Sequence, residues 1–375
     1  MEFTYCKLID VLNDIHSGGT PSTGESSYWG GQIKWLSSGE TSQRFISDTV
    51  DKITEEGVRN SSTKLAKKGN IVMACAGQGK TRGQTSYLLD DMYINQSVIA
   101  LETNESVLPL YLFYDLSSRY EELRGGSDAS STRGSITTTA LKNLPFKYPD
   151  LPTQQLIVDI LFGYDSLIET NNRRIELLEQ TAQELYKEWF VRFRFPGYEN
   201  TKFESGLPEG WDFCRLGKIM SFGAGKTRPE SGETYPVYGG NGILDYCNYY
   251  NNENAIIIGR VGAYCGTVYY EPDKCWISDN ALFAESKNDA SFYNYYLLKN
   301  MNLNTRQVGT GQPLITQGLL NRTKILLPPE PILKKYNELS SELLKQQHVL
   351  RKQNTNLATQ RDMLLPRLMS GKLEV

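Results

Sequence analysis

The sequence lacks any apolar run that approaches the roughly 18–20 residues of a membrane-spanning helix. Its first residues, MEFTYCKLIDVL, also lack the basic start and the small-residue cleavage site of a signal peptide. We therefore expect a cytoplasmic protein with no membrane partner. The chain of 375 residues has room for two or more domains, each with a core of its own.

Histidine is nearly absent, since His16 and His348 are the only two in the chain. The six cysteines include no pair with the Cys-x-x-Cys spacing of zinc sites. The sequence therefore predicts neither a metal site nor a cofactor, and the cysteines are expected to be reduced thiols. Neither histidine stands near a serine or cysteine at a spacing that suggests a catalytic triad.

A surplus of positive charge is also missing. The 40 lysines and arginines are outnumbered by 43 aspartates and glutamates, which gives a formal net charge of −3. Because nucleic-acid-binding proteins are often basic overall, this balance counts mildly against that class. It does not exclude a basic face on one part of the surface.

What the sequence does contain is a heptad pattern between residues 152 and 191. Its apolar residues recur at alternating steps of four and three, the spacing that pairs one helix with another, and forty helical residues extend for roughly 60 Å. Asn171, a polar residue in this seam, is interpreted as a device that fixes the pairing register. A second seam follows near the end of the chain. The residues expected to pair the two helices are Ile157, Leu161, Tyr164, Ile168, Ile175, Leu178 and Leu185 with Tyr336, Leu343, Leu350, Leu357 and Leu364.

The two seams belong to an internal repeat. Adding 179 to the residue numbers of the first seam gives those of the second, and the same shift maps Phe146 onto Ile325. Matches continue upstream with small insertions. They include Cys6-Lys7-Leu8 with Cys214-Arg215-Leu216, and Tyr93-Ile94-Asn95 with Trp276-Ile277-Ser278. Several matches in the same order indicate a duplicated unit.

The repeat predicts an α+β fold in which a β-rich globular domain and a long helix occur twice. The predicted segments are a first domain over 1–150, a helix over 151–195, a second domain over 196–328 and a helix over 329–375. The two helices are expected to pair as an antiparallel coiled coil that separates the two domains, with pseudo-two-fold symmetry. Pairing between chains is the alternative, but seams of equal length within one chain meet at high effective concentration. Pro366 is expected to kink or end the last helix.

Two similar surfaces held at a fixed spacing suit double-stranded DNA as the partner. DNA presents equivalent groove faces one helical turn apart, about 34 Å. A rigid pair of helices would fix the number of base pairs between the two contacts. Because the two domains differ in sequence, the expected target is bipartite and asymmetric.

Short sequence phrases accompany this plan along essentially the whole chain. They are Ser17-Gly18-Gly19-Thr20-Pro21, Leu207-Pro208-Glu209-Gly210-Trp211, Tyr235-Pro236-Val237-Tyr238-Gly239-Gly240-Asn241-Gly242-Ile243, Leu326-Leu327-Pro328-Pro329 and Leu365-Pro366-Arg367-Leu368-Met369-Ser370-Gly371-Lys372-Leu373. With the order domain, helix, domain, helix, this set resembles the specificity (S) subunit of type I restriction-modification systems.

The resemblance implies two target-recognition domains, each reading one half of a bipartite DNA site. It also implies helices that set the spacer and dock methyltransferase (M) subunits, expected to number two. Those partners bind S-adenosylmethionine and methylate adenine after flipping it out. The nuclease and the translocase belong to restriction (R) subunits, so the chain itself is expected to be non-catalytic. The polar residues Gln347, Asn354 and Arg361 are expected to weaken the second seam.

Two motifs suggest an enzyme instead. Residues 74–81, ACAGQGKT, nearly form a P-loop, but Ala74 replaces the first glycine, β-like residues follow, and the repeat has no counterpart. Asp273, Glu285 and Lys287 imitate the carboxylates and lysine of a nuclease, a loose pattern that often arises by chance. The alternatives are therefore a PD-(D/E)xK-like nuclease or a P-loop NTPase with a coiled-coil dimerisation arm, and, as a third class, a scaffold without DNA affinity.

The candidate DNA-binding residues are basic and amide side chains in predicted loops. Lysine and arginine bind phosphates, arginine reads guanine, and asparagine or glutamine reads adenine. For each one, a solvated surface side chain is the alternative. The candidates are Lys64, Lys67, Lys68, Gln78, Lys80, Arg82 and Gln84 in the first domain, with Lys226, Arg228, Asn241, Arg260, Arg306 and Gln312 in the second.

Overall fold

The computed structural model describes residues 1–77, 79–128, 134–306 and 314–375, with residues 126–128 described by their backbone alone. The chain forms two compact units. Unit 1 comprises Met1–Ile168 and Thr355–Val375, and unit 2 comprises Glu169–Asn354. The division between the units thus falls inside the two long helices, and not at the ends of the four predicted segments.

Unit 1 contains a five-stranded sheet, a four-stranded sheet and a two-stranded sheet. Its strands are β1 (Thr4–Lys7), β2 (Leu12–Ser17), β3 (Trp29–Leu36), β4 (Phe45–Ile46), β5 (Asp51–Ile53), β6 (Lys64–Ala66), β7 (Ile71–Ala74), β8 (Thr85–Leu88), β9 (Met92–Ile94), β10 (Val98–Thr103) and β11 (Pro145–Tyr148). The strand orders are β2-β10-β7-β8-β4, β5-β3-β9-β6 and β1-β11. Its helices are α1 (Glu55–Arg59), α2 (Pro109–Ser118), α3 (Tyr120–Asp128), α4 (Thr138–Lys142) and the start of α5 (Leu151–Phe190), with 3₁₀ turns at Leu8–Val11, Ser26–Tyr28 and Ser38–Ser42.

Unit 2 contains a six-stranded sheet and two two-stranded sheets. Its strands are β12 (Phe203–Glu204), β13 (Leu207–Pro208), β14 (Asp212–Arg215), β15 (Met220–Ala224), β16 (Tyr235–Gly239), β17 (Gly242–Cys247), β18 (Asn252–Gly259), β19 (Val268–Ile277), β20 (Ala281–Ser286) and β21 (Lys324–Leu327). The strand orders are β15-β20-β18-β19-β16-β17, β12-β13 and β14-β21. Its helices are α6 (Leu216–Ile219), α7 (Ser291–Asn300), α8 (Gln317–Arg322) and the start of α9 (Glu330–Ser370), with 3₁₀ turns at Tyr198–Asn200, Gly262–Tyr264 and Leu303–Thr305.

The internal repeat predicted from the sequence is confirmed by equivalent strand pairs in the two units. In unit 1, β1 pairs antiparallel with β11 and sets Cys6 opposite Phe146. In unit 2, β14 pairs antiparallel with β21 and sets Cys214 opposite Ile325. The short helices α4 and α8 are capped alike, since the threonine before each accepts a hydrogen bond from the backbone N–H three residues later.

A close approach of the backbone also recurs in both units. In unit 1, β9 runs parallel to β3, and the chain after β2 passes against Ile94. In unit 2, the end of β19 runs parallel to β16, and the chain after β15 passes against Ile277 and Ser278. A Cβ atom on Gly18 would lie 1.8 Å from the Ile94 carbonyl oxygen, and one on Gly225 would lie 2.0 Å from the Ser278 carbonyl oxygen. Only glycine fits at these two positions.

We expect Gly18→Ala to lower the free energy of unfolding of the chain by about 2 kcal/mol or more, because a backbone carbonyl cannot move aside for the methyl group. Thermal or denaturant unfolding measures this loss. Gly39→Ala is the matched control, since its Cβ would meet only the Ser37 hydroxyl, at 3.8 Å. Equal stabilities of the two variants would show that the chain does not pass this close to Ile94.

The long helices pair antiparallel in each unit. In unit 1, Ile157 and Leu161 near the start of α5 share a core with Leu365 and Leu368 near the end of α9. In unit 2, Ala182 and Trp189 near the end of α5 share a core with Tyr336 and Leu344 near the start of α9. All the side chains expected to pair the helices are buried or half-buried.

The end of the last helix differs from expectation. Pro366 does not end the last helix, which continues to Ser370. A proline here costs only one hydrogen bond of the final turns, and Leu365, Leu368 and Met369 remain buried in unit 1 and hold the helix there.

Candidate nucleic-acid interface

Several strands of unit 2 end at one set of loops. The backbone N–H of Lys226 donates to the Ile277 carbonyl at 3.0 Å, and that of Arg260 donates to the Asn280 carbonyl at 3.0 Å. Ser278 in turn donates to the Tyr238 carbonyl at 2.9 Å. These bonds hold residues 225–228, 240–241, 260–264 and 278–280 side by side. We call these four groups of residues the loop edge of unit 2.

Three predicted DNA-binding side chains are exposed on or beside this edge, namely Lys226, Arg228 and Asn241. Arg228 pairs with Asp245 at 2.5 Å. Hydrogen bonds from the Ser231 hydroxyl, the Tyr246 backbone and Arg228 lower the pKa of Asp245 to about 2. The carboxylate therefore stays charged, and a phosphate would have to compete with it for Arg228.

The other arginines of unit 2 are set differently. Arg260 is half-buried at the end of β18, and its side chain donates to the Asp279 carbonyl at 3.5 Å. Arg306 is exposed, and its Nε donates to the Met301 carbonyl at 3.2 Å. Its segment lies against Gly266, next to the loop edge. Gln312 lies outside the described residues.

Unit 1 has a comparable loop edge, which we define as residues 18–20, 75–77, 79–84, 95–97 and 134–136. Gly19 donates to the Ile94 carbonyl at 3.1 Å, Cys75 to the Ser97 carbonyl at 2.9 Å, and Ile136 to the Cys75 carbonyl at 2.8 Å. The Thr20 hydroxyl donates to the Gln96 side chain. Of the predicted residues, Lys80 is exposed here and Gln84 is half-buried, while Gln78 lies outside the described residues.

The lysines of β6 do not form one cluster with Lys80. Lys64 pairs with Ile94 and so lies near the loop edge of unit 1. Lys67 and Lys68 follow the opposite end of β6, where Lys67 pairs with Glu102 at 3.5 Å and the backbone of Lys68 donates to Asp91. The structure thus separates Lys67 and Lys68 from the other basic candidates of this unit.

Arg82 is placed unlike a phosphate ligand. It is 8% exposed, and its guanidinium donates to the Gly134 carbonyl at 2.9 Å. Its position beside Lys80 in the sequence suggested a surface cation, but the turn directs it inward. A guanidinium buried in this way is not accessible to a phosphate.

The enzyme-like motifs do not form the sites they imitate. Residues 74–85 join β7 to β8, and Ala74 and Gln84 pair across the turn, so a strand follows where a P-loop requires a helix. Asp273 and Glu285 belong to β19 and β20, and β18 lies between those strands. Lys287 donates to the Gly217 carbonyl at 2.7 Å.

Among the described residues, one group of three could hold a metal ion by geometry alone: Glu271, Asp273 and His348, whose ligand atoms lie within 4.8 Å of one another. Each already has a partner in the protein. Tyr238 donates to Glu271 at 2.7 Å, and Asp273 pairs with His348 at 3.2 Å and Lys352 at 2.8 Å. These contacts account for the cluster without an ion.

Sequence reasoning missed the aromatic and apolar surface that follows the loop edge of unit 2. Tyr264 on the edge is 49% exposed, and β17 and the residues after it expose Ile243, Tyr246, Tyr249 and Tyr250. The ammonium group of Lys274 lies 4.4 Å from the centre of the Tyr250 ring. The signal was the tyrosine content of 23 residues, because tyrosine offers both a ring and a hydroxyl to a partner.

The repeat and the paired long helices agree with one known family. The sequence profile described as "Type I restriction modification DNA specificity domain" matches residues 2–180 and 208–354. This chain belongs to that family. It is therefore a specificity (S) subunit, and the enzyme readings have no support.

Curated relatives give the same result. The chain is 27% identical to the type I restriction enzyme MjaIX specificity subunit of Methanocaldococcus jannaschii, over 98% of this chain and 93% of that protein. It is 36% identical to the HindI specificity subunit of Haemophilus influenzae, over 35% of this chain and 29% of that protein. The first of these matches spans both copies of the repeat.

Among solved structures, the S subunit from M. genitalium matches with a TM-score of 0.61 at 16% identity. The match covers 98% of this chain and 96% of that one, and it shows a shared fold. The predicted class, two similar β-rich domains with long paired helices, is thereby confirmed. In the part of the S subunit that the structure describes, no helix is both long and apolar enough to cross a membrane.

Proposed function

We propose that this S subunit selects a bipartite, asymmetric DNA site by reading one half with each loop edge. The supporting observation is a single frame that occurs twice with different side chains at its edge. Unit 1 presents Thr20, Lys80 and Gln96, whereas unit 2 presents Lys226 and Asn241. Similar frames with unlike edges suit a target whose two halves differ in sequence.

The subunit acts, in this proposal, with two M subunits and with R subunits in the cytoplasm, and M supplies the cofactor and the adenine chemistry. The long helices offer the docking surface. Ile160 on α5 and Leu339 on α9 are exposed at matching positions of the repeat, so each half of the helix pair presents an equivalent apolar contact. Two equivalent contacts favour two M subunits.

Partners also account for the acidic balance of the chain. With a net charge of −3, the isolated S subunit has little general attraction for DNA. Phosphate contacts contributed by M would add affinity that does not depend on sequence. The S subunit then contributes the sequence preference through a small number of base contacts.

We expect Lys226→Ala to weaken DNA binding by the assembled complex. The affinity should fall by the same factor on DNA that contains the first half-site and on DNA that contains the second. Loss of one phosphate contact reduces the slope of log affinity against log salt by about one. Binding measured by fluorescence anisotropy over a salt series tests this. Lys67→Ala is the matched control, because Lys67 pairs with Glu102 away from Lys80 and should leave the slope unchanged.

The scaffold alternative predicts the opposite. A scaffold without DNA affinity would give complexes whose DNA binding does not change when Lys226, Lys80 or Asn241 is replaced. An unchanged slope for Lys226→Ala together with unchanged site preference for Asn241→Ala would therefore contradict the proposal.

A further inference from the structure

The seam between α5 and α9 contains two polar pairs. In unit 1, Arg361 donates to the carboxylate of Asp165, and the two side chains are 9% and 3% exposed. The Asp165 carboxylate also accepts hydrogen bonds from Arg44 at 3.3 Å and from the Tyr114 hydroxyl at 2.7 Å. In unit 2, the Asn171 amide donates to the Asn354 side chain at 2.9 Å.

The repeat makes these pairs unusual, because their counterparts are apolar. The shift of 179 maps Asp165 onto Leu344 and Arg361 back onto Ala182. It maps Asn171 onto Leu350 and Asn354 back onto Ile175. Ala182 and Leu344 share the core of unit 2, so the same kind of contact exists there without charge. Each polar pair is therefore formed once in the chain, always between α5 and α9.

The duplicated helices have a natural wrong partner. The helices α5 and α9 have 40 and 41 residues and the same heptad spacing. Because α5 resembles α9, the α5 helix of a second copy could take the place of α9 beside α5. An antiparallel pair of two α5 helices in the native register would set Asp165 against Ala182 and Asn171 against Ile175. A pair of two α9 helices would set Arg361 against Leu344 and Asn354 against Leu350.

Such contacts carry a large penalty. Asp165 would keep Arg44 and Tyr114 but lose the Arg361 guanidinium, and Arg361 would keep only Asp362 on its own helix. A buried charge that has lost its partner across the seam is far more destabilising than an apolar contact at the same place. A buried amide opposite an alkyl group is penalised in the same way, though less. Only the pairing of α5 with α9 satisfies all four polar residues.

We propose that the Asp165–Arg361 and Asn171–Asn354 pairs determine which helix pairs with which, and so prevent S subunits from associating through like helices. The seam face of each long helix fits the other long helix of the repeat. It rejects the same helix of a second copy. The two pairs act by excluding the wrong contact, since an apolar seam alone would accept both arrangements.

The test replaces the polar residues of one helix by the residues found at matching positions of the other. The double variant Asp165→Leu with Asn171→Leu makes α5 self-compatible and leaves Arg361 and Asn354 facing leucine in the native pair. We expect the fraction of full-length chain that light scattering finds at the monomer mass of 42.4 kDa to fall at least about tenfold, with dimers or misfolded chain in its place.

The rescue variant adds Arg361→Ala and Asn354→Ile, so that both polar pairs become apolar contacts. It should unfold with nearly the wild-type free energy, because well-packed apolar residues replace buried ion pairs at little cost. It should nevertheless form more dimer than wild type, since the seam then accepts both helix pairings. A general loss of stability on removing polar groups would not be repaired by removing two more. A double variant as monomeric as wild type, or a rescue variant that is as stable as wild type and equally monomeric, would overturn the proposal.

Discussion

Removing one matched heptad from each long helix is expected to shorten the spacer of the recognised DNA site by about three base pairs, because each helix loses about 10 Å and base pairs stack every 3.4 Å. The matched segments are 172–178 of α5 and 347–353 of α9. Asn171 and Asn354 flank the deletions, so their hydrogen bond is retained. The half-site sequences should not change, since both loop edges are left intact.

The measurement is the methylation motif of cells that express the shortened S subunit with its partners. Deleting 172–178 alone is the control, because the helices are then unequal and the native seam cannot form along its full length. We expect that control to lose methylation. An unchanged spacer in the matched deletion, or a change in either half-site sequence, would contradict the role of the helices as the spacer.

Exchanging residues 1–150 for the equivalent residues of another S subunit is expected to replace one half-site completely and to leave the other half-site and the spacer unchanged. The loop edge of unit 2 keeps all of its residues in this hybrid. The measure of success is the new methylation motif, in which one half should match the donor. A motif with both halves altered would show that the two edges do not read independently.

The hybrid must preserve one buried contact that crosses the junction. Asp165 on α5 accepts hydrogen bonds from Arg44 and Tyr114, both of which lie within the exchanged segment. Burial, followed by the Asp165 charge, raises the pKa of Tyr114, so its hydroxyl remains a donor at neutral pH. A hybrid that retains Arg44 and Tyr114 is therefore expected to fold more stably than one that does not.

The fold could be read from the sequence largely because it is duplicated. A single offset of 179 predicted that Phe146 and Ile325 occupy equivalent places, and the structure sets them opposite Cys6 and Cys214. The two heptad seams also lie on the two long helices, which begin at Leu151 and Glu330. Regular patterns of this kind depend on local spacing, which a sequence shows directly.

The details of the site depended on contacts that local spacing does not show. The heptads placed Tyr164 in the seam, whereas the charged Asp165 beside it is the buried residue, and its partner Arg361 is 196 residues away. Arg361 and Asn354 were expected to weaken the second seam, yet both are hydrogen-bonded across it. A charged side chain in a helix seam is expected to destabilise the pairing unless its partner across the seam is known.

The surface candidates show the same limit. Lys80 and Arg82 are neighbours in a basic loop, but one is exposed and the other donates to Gly134 inside unit 1. Side-chain type suggests which groups could meet a phosphate, and burial decides which of them are free to do so. Exposed tyrosines such as Tyr264 carry no charge, and the high tyrosine content of the sequence does not show which of them lie on the surface.

If two unlike loop edges on a repeated frame select a bipartite site, mapping methylated adenines across the genome with and without this S subunit will reveal that site. One motif should disappear with the gene, and it should consist of two different half-sites separated by a spacer of fixed length. An unchanged methylation map, or a lost motif that is a single uninterrupted sequence, would contradict it.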